Sequence, residues 1–136
     1  MPNKALRILI ADEQHFHRML IERLFNQLDY YRVAPVQDLA SMLTLVEYGC
    51  EPFDLVVVNA ALAAGELDLL SYFLDNRQVR HALIFDGQRA QLPTIPAHSQ
   101  PRVQVSHAAL PDLRCIQTLL AIIDPSSQER NQRYAG

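Results

Sequence analysis

The chain of 136 residues has no tryptophan, only four glycines and only two cysteines. Each shortage removes a class of protein. Cys50 and Cys115 are far apart, outside any C-x-x-C spacing and without neighbouring histidines. They encode neither a disulfide framework nor a zinc knuckle, and read as reduced, partly buried thiols. None is needed, because a single domain of this length buries roughly two thirds of its unfolded surface. With so few glycines there is no Gly-rich phosphate cradle: the glycine of "DGQRA" stands alone, and the first strand runs into acids where dinucleotide folds place glycines. No apolar run approaches the roughly 20 residues that span a bilayer, and "MPNKALRILI" lacks the h-region and cleavage site of a signal peptide. A cytoplasmic protein without membrane contact is expected. An excess of basic charge is missing too. Twelve Lys and Arg stand against 15 Asp and Glu, a net charge of -3, whereas a nucleic-acid module concentrates positive charge to neutralise phosphates. No direct nucleic-acid partner is expected.

What the chain does have is a regular alternation of short apolar runs and amphipathic segments. "LRILIA" (6–11) is nearly continuous apolar sequence ending in acids, the signature of a strand buried on both faces. Phe16, Met19, Leu20, Leu24 and Leu28 then recur at helical spacing. "YRVAPV" (31–36) reads as a second strand, placed at a sheet edge because Pro35 has no N–H for a ladder. Asp38 caps a second helix carrying Leu39, Met42, Leu43 and Val46, and Gly49 stands where a left-handed C-terminal residue is wanted. "DLVVVN" (54–59) is the third strand, 66–75 a third helix and "HALIFD" (81–86) the fourth strand. "VQVSHA" (103–108) is the fifth, and Pro111 opens a last helix that ends at Asp124.

The interval 87–102 breaks this pattern. Pro93, Pro96 and Pro101 make a continuous helix improbable there, so the fourth helix is expected to be shortened or missing. Between Asp86 and Asp112 there is no acidic residue, while Arg89 and Arg102 lie inside the interval. This basic, Pro-rich loop of about 16 residues is a candidate partner-binding element. The polar stretch 125–136 reads as a tail or the start of a linker, after one domain over 1–124.

Strands alternating with helices give an α/β, doubly wound, five-stranded parallel sheet, whose functional crevice lies at the carboxyl ends of the strands. Asp12 and Glu13 after the first strand, Asn59 after the third and Asp86 after the fourth are expected to share that edge. They would form an acidic cleft.

"LRILIADEQHFHRMLIERLF", with its acidic pair closing the first strand, and "FDLVVVNAAL" resemble the receiver domain of bacterial two-component response regulators. The likeness spans residues 5 to 123 and implies the flavodoxin-like strand order 2-1-3-4-5. In that family the acidic pair holds Mg²⁺, an Asp ending the third strand accepts a phosphoryl group, a Ser or Thr ends the fourth strand and a Lys-Pro step follows the fifth. Here Asp12 and Glu13 keep the pair, but the acceptor position is Asn59, the hydroxyl position Asp86 and the Lys position Leu110. A carboxamide is a poor nucleophile, Leu110 supplies no cation, and Asp86 repels an incoming phosphoryl group. The resemblance therefore implies a pseudo-receiver in phosphorelay signalling, not an enzyme, acting by contact with a protein partner or as a homodimer. No cofactor is expected, although Asp12, Glu13 and the Asn59 amide oxygen could supply a weak Mg²⁺ site. Two alternatives stay open: a sensor that binds a cation or small molecule in the acidic cleft, and the receiver of a longer regulator whose output domain follows residue 136. His15 and His17, two apart at a helix start, do not face one point and read as surface histidines.

Overall fold

The alternation of side chains along each strand decides which residues meet which helix. In the computed structural model the strands are Ile8–Ala11 (β1), Val33–Val36 (β2), Phe53–Asn59 (β3), Val79–Phe85 (β4) and Val103–Ser106 (β5). The helices are His15–Gln27 (α1), Leu39–Tyr48 (α2), Leu69–Asp75 (α3) and Leu113–Ile123 (α4), with a 3-10 turn at Ala60–Ala63. The structure describes residues 5–49, 51–63, 66–76, 78–85, 102–106 and 110–124. Asp86, Arg89, all of the interval 87–102 expected to lose its helix except Arg102, and the tail 125–136 lie outside them.

All strand pairs are parallel, in the order β2-β1-β3-β4-β5. This is the doubly wound sheet expected from the sequence. Leu9, Val56, Val58, Ala82 and Ile84 face Met42 and Val46 of α2 and Leu69 and Phe73 of α3. Ile8, Ile10, Leu55, Val57, Leu83 and Phe85 face Ile21 and Phe25 of α1 and Ile116, Leu119 and Leu120 of α4. Two apolar layers thus enclose the sheet, and each fully buried Leu, Ile or Val contributes roughly 1.5–3 kcal/mol relative to exposure.

Pro35 sits where its missing N–H does no harm. Arg32 O accepts from Ile8 N–H and Val36 O from Asp12 N–H, so even-numbered residues of this segment face β1 and Pro35 faces away from it. β2 is an edge strand, as the proline required.

Some helix ends differ from expectation, α3 starting at Leu69 and not at Glu66. Gly49 closes α2 with φ -66 and ψ 147, not a left-handed conformation. Its need is space: a Cβ there would lie 2.5 Å from the Leu45 carbonyl oxygen. The left-handed residue is Asp29, φ 71, after α1. Asp29 N–H donates to Asn26 O and Tyr30 N–H to Phe25 O, the bond pair of a Schellman motif, with Tyr30 and Phe25 both buried in the same apolar layer. Finally, α4 starts at Leu113, two residues later than proposed. Asp112 is its N-cap, accepting from Cys115 N–H at 2.8 Å, and Pro111 precedes the cap.

Tyr30 carries a second tie. Its hydroxyl donates to Asp124 Oδ2 at 2.5 Å, joining the end of α1 to the end of α4 inside the protein, and burial first, then this bond, push the phenol pKa up. At the opposite end of the sheet from the expected crevice, Arg7 lies 4.5 Å above the Phe53 ring, and its backbone N–H donates to Asp54 Oδ2.

His81 on β4 is half-buried, with Nδ1 unpartnered among the described residues. Burial first, then the Arg102 charge, depress its pKa below 6.5; Arg80 pushes the same way and Asp54 opposes. In the window below 6.5 the unfolded chain therefore holds more protons than the folded one, so stability falls as pH drops through it. Thermal melting between pH 7 and 5.5 should show this decline, and His81→Val should flatten it.

Candidate functional site

β1 and β3 are neighbours in the sheet and stop at the same level, Ala11 pairing with Val58. The residues that follow each strand are therefore delivered to the same place. Asp12 is fully buried there, and its carboxylate is surrounded by donors from its own chain. Asn59 Nδ2 donates to Oδ2 at 3.1 Å, His17 Nδ1 lies 2.9 Å from the same oxygen, and Gln14 N–H donates to Oδ1 at 2.9 Å. The Asp12 carbonyl accepts from Arg18 NH1 at 2.6 Å. Of roughly four acceptor sites on a carboxylate, three are taken by protein.

Asn59 is fixed at both ends of its amide. Oδ1 accepts from Ala61 N–H at 3.0 Å, which sets up the 3-10 turn, and this leaves Nδ2 as the atom facing Asp12. An aspartate at 59 would set two carboxylates about as close as this bond. The asparagine instead answers the Asp12 charge with an N–H dipole.

Of the residues expected to share this edge, the structure brings Asp12 and Asn59 together. Glu13 is exposed and makes none of these bonds, and Asp86 lies outside the described residues. Leu110, expected from the resemblance to stand at the lysine position, packs against the apolar layer of α1 and α4. Among the described residues no group of three His, Cys, Asp or Glu converges as a metal-ligand set.

Two residues have roles that sequence reading missed. His17, read as a surface histidine, is only 21% exposed in its side chain and bound to Asp12. The only signal was an Asp and a His five apart across a strand-to-helix junction, a spacing that neither helical nor strand periodicity singles out. Arg102, assigned to a partner-binding loop, instead donates to three carbonyls: Leu74 at 2.6 Å, Val79 at 3.0 Å and Asn76 at 3.3 Å. It satisfies the open end of α3, where a cation also complements the helix dipole. Its guanidinium is committed to the fold.

Beside the site, an open groove of about 450 Å³ runs between α1 and the β2 edge, with His15, Arg18 and Met19 on one wall and Pro35, Gln37 and Ser41 on the other. No sequence motif announced it.

No family model matches the sequence, and no curated protein matches it. Solved structures do. A response regulator receiver domain protein from Bacillus halodurans is similar at TM-score 0.60 and 18% identity, over 87% of this chain and 93% of that one. The N-terminal domain of a response regulator/sensory box/GGDEF protein from Carboxydothermus hydrogenoformans gives TM-score 0.60 and 18% identity, over 92% of this chain and 98% of that one. This chain has the receiver-domain fold. A pilus assembly-related protein from Burkholderia pseudomallei shares it, at TM-score 0.60, 20% identity and 87% and 88% coverage. Among the described residues no helix is long and apolar enough to cross a membrane.

Two substitutions test this geometry. Asn59→Asp should lower unfolding free energy by about 1–3 kcal/mol, the cost of losing a donor to a buried carboxylate and adding a like charge. Arg102→Met should cost about 2 kcal/mol, the scale of a charged donor withdrawn from several carbonyls. Urea denaturation measures both; a solvent-facing loop arginine would give nearly zero.

Proposed function

We propose that this chain is a receiver-type module of two-component signalling that works by protein–protein contact and forms no acyl phosphate at position 59. The observation that carries this reading is Asn59. It stands at the end of β3, where a receiver presents its acceptor carboxylate, and both ends of its amide are bonded within the chain. A neutral amide bonded in this way has no anionic oxygen to offer to phosphorus. The absence of a cation at Leu110 points the same way, since the phosphoryl oxygens would lack their counter-charge. The likeness to a receiver protein, and to the N-terminal domain of a three-domain regulator, supports a place in signal transduction.

In this reading the fold presents a fixed surface to a signalling protein or a second copy, in the cytoplasm, without enzymatic activity. Residues 125–136 would lead into an output domain if the regulator is longer. A cation sensor built on the cleft is less well supported, because His17, Asn59 and the Gln14 N–H already occupy Asp12.

Beryllofluoride with Mg²⁺, followed by amide chemical shifts, tests the reading. The spectrum should stay unchanged from Asn59 through α4, and acetyl phosphate should leave no alkali-labile adduct on residue 59. Widespread shifts, or such an adduct, would overturn it.

A further inference from the structure

The pairing of His17 with Asp12 gives the site a group that the reading above does not use. A carboxylate only accepts hydrogen bonds, so the ring nitrogen 2.9 Å from Asp12 Oδ2, Nδ1, carries the hydrogen. The other nitrogen, Nε2, is not bonded among the described residues, and the side chain as a whole is 21% exposed. One nitrogen of the imidazole is thus held on a fully buried anion while part of the ring stays exposed. Asn59 Nδ2, on the same Asp12 oxygen, and the Gln14 N–H, on the other, keep the carboxylate from turning away. This is the arrangement that makes a histidine a nucleophile, because positive charge developing on the ring is met by a fixed negative charge in a dry site. His15, two residues earlier, is exposed and lies on a different side of the helix, with no carboxylate bonded to it among the described residues.

We propose that His17 Nε2 is a phosphoryl-accepting position, which takes the group from an N-phosphoryl donor and forms a phosphohistidine. With phosphoramidate as donor, the Nε2 lone pair forms a bond to phosphorus as the phosphorus–nitrogen bond of the donor breaks. Ammonia leaves with that electron pair and the three hydrogens it carried. Nδ1 keeps its hydrogen, the ring becomes an imidazolium, and Asp12 holds the new charge. Asp12 is a positioning residue in this step, since it touches the ring and not the phosphoryl group. The proposal does not depend on partner binding.

The experiment uses the full chain and potassium phosphoramidate, with site occupancy read by peptide mass spectrometry under neutral to alkaline conditions. His15→Gln and His17→Gln variants separate the two positions. His17 should label roughly five- to tenfold faster than the more exposed His15, a factor typical of one charge-assisted hydrogen bond that strengthens as its partner charges. The mark should be lost in acid and kept in alkali. In urea the two rates should converge, and Asp12→Asn should slow His17 while leaving His15 unchanged. If Asp12→Asn does not fold, the comparison of native with urea-unfolded protein decides alone. Equal rates in the native chain, or a rate ratio that urea does not alter, would overturn the assignment.

Discussion

A carboxylate taken out of water must find donors to replace the solvent it has lost, or the fold bears the cost. Asp12 imposes that condition on everything around it. β1 must end beside β3 so that the Asn59 amide reaches across, α1 must begin close enough for Gln14 and His17 to turn back, and Arg18 must close over the carbonyl. The sheet supplies the placement and the polar contacts supply the reason for it. Side chains and backbone of the same protein supply those donors.

The two apolar layers are held in step at their far ends by other means. Tyr30 follows a left-handed Asp29 that turns the chain out of α1, and its ring fills the α1–α4 layer while its hydroxyl reaches Asp124. One residue therefore ends a helix, fills a core and ties two elements 94 positions apart. Arg102 does comparable work on the other face, where the chain entering β5 closes the end of α3.

The strands and most helices were legible because burial on both faces leaves unbroken apolar runs, and amphipathic helices leave a period: "DLVVVN" and the Leu113 to Ile123 stripe needed nothing else. The pairing of Asp12 with Asn59 was legible as an edge shared by two strand ends. What escaped detection shares one cause, contact between residues with no periodic relation. Gly49 was read as a conformational need when the constraint was the Leu45 carbonyl, and Asp29 did what glycine was expected to do. Short polar side chains tolerate the left-handed region, so composition did not mark the spot. His17 and Arg102 were both taken as solvent-facing because nothing local says otherwise; only the folded chain brings a buried acid to one and three carbonyls to the other.

The outward turn of Pro35 has a consequence for the protein in a crowded solution. A sheet edge is a template, and another strand laid along it can extend the ladder from molecule to molecule until the assembly precipitates. Along the four residues of β2, the outward side offers a carbonyl at Pro35 but no hydrogen to give in return. A stray strand that docks there loses a bond near the centre of its register, and growth of a continuous intermolecular sheet is interrupted at its first step.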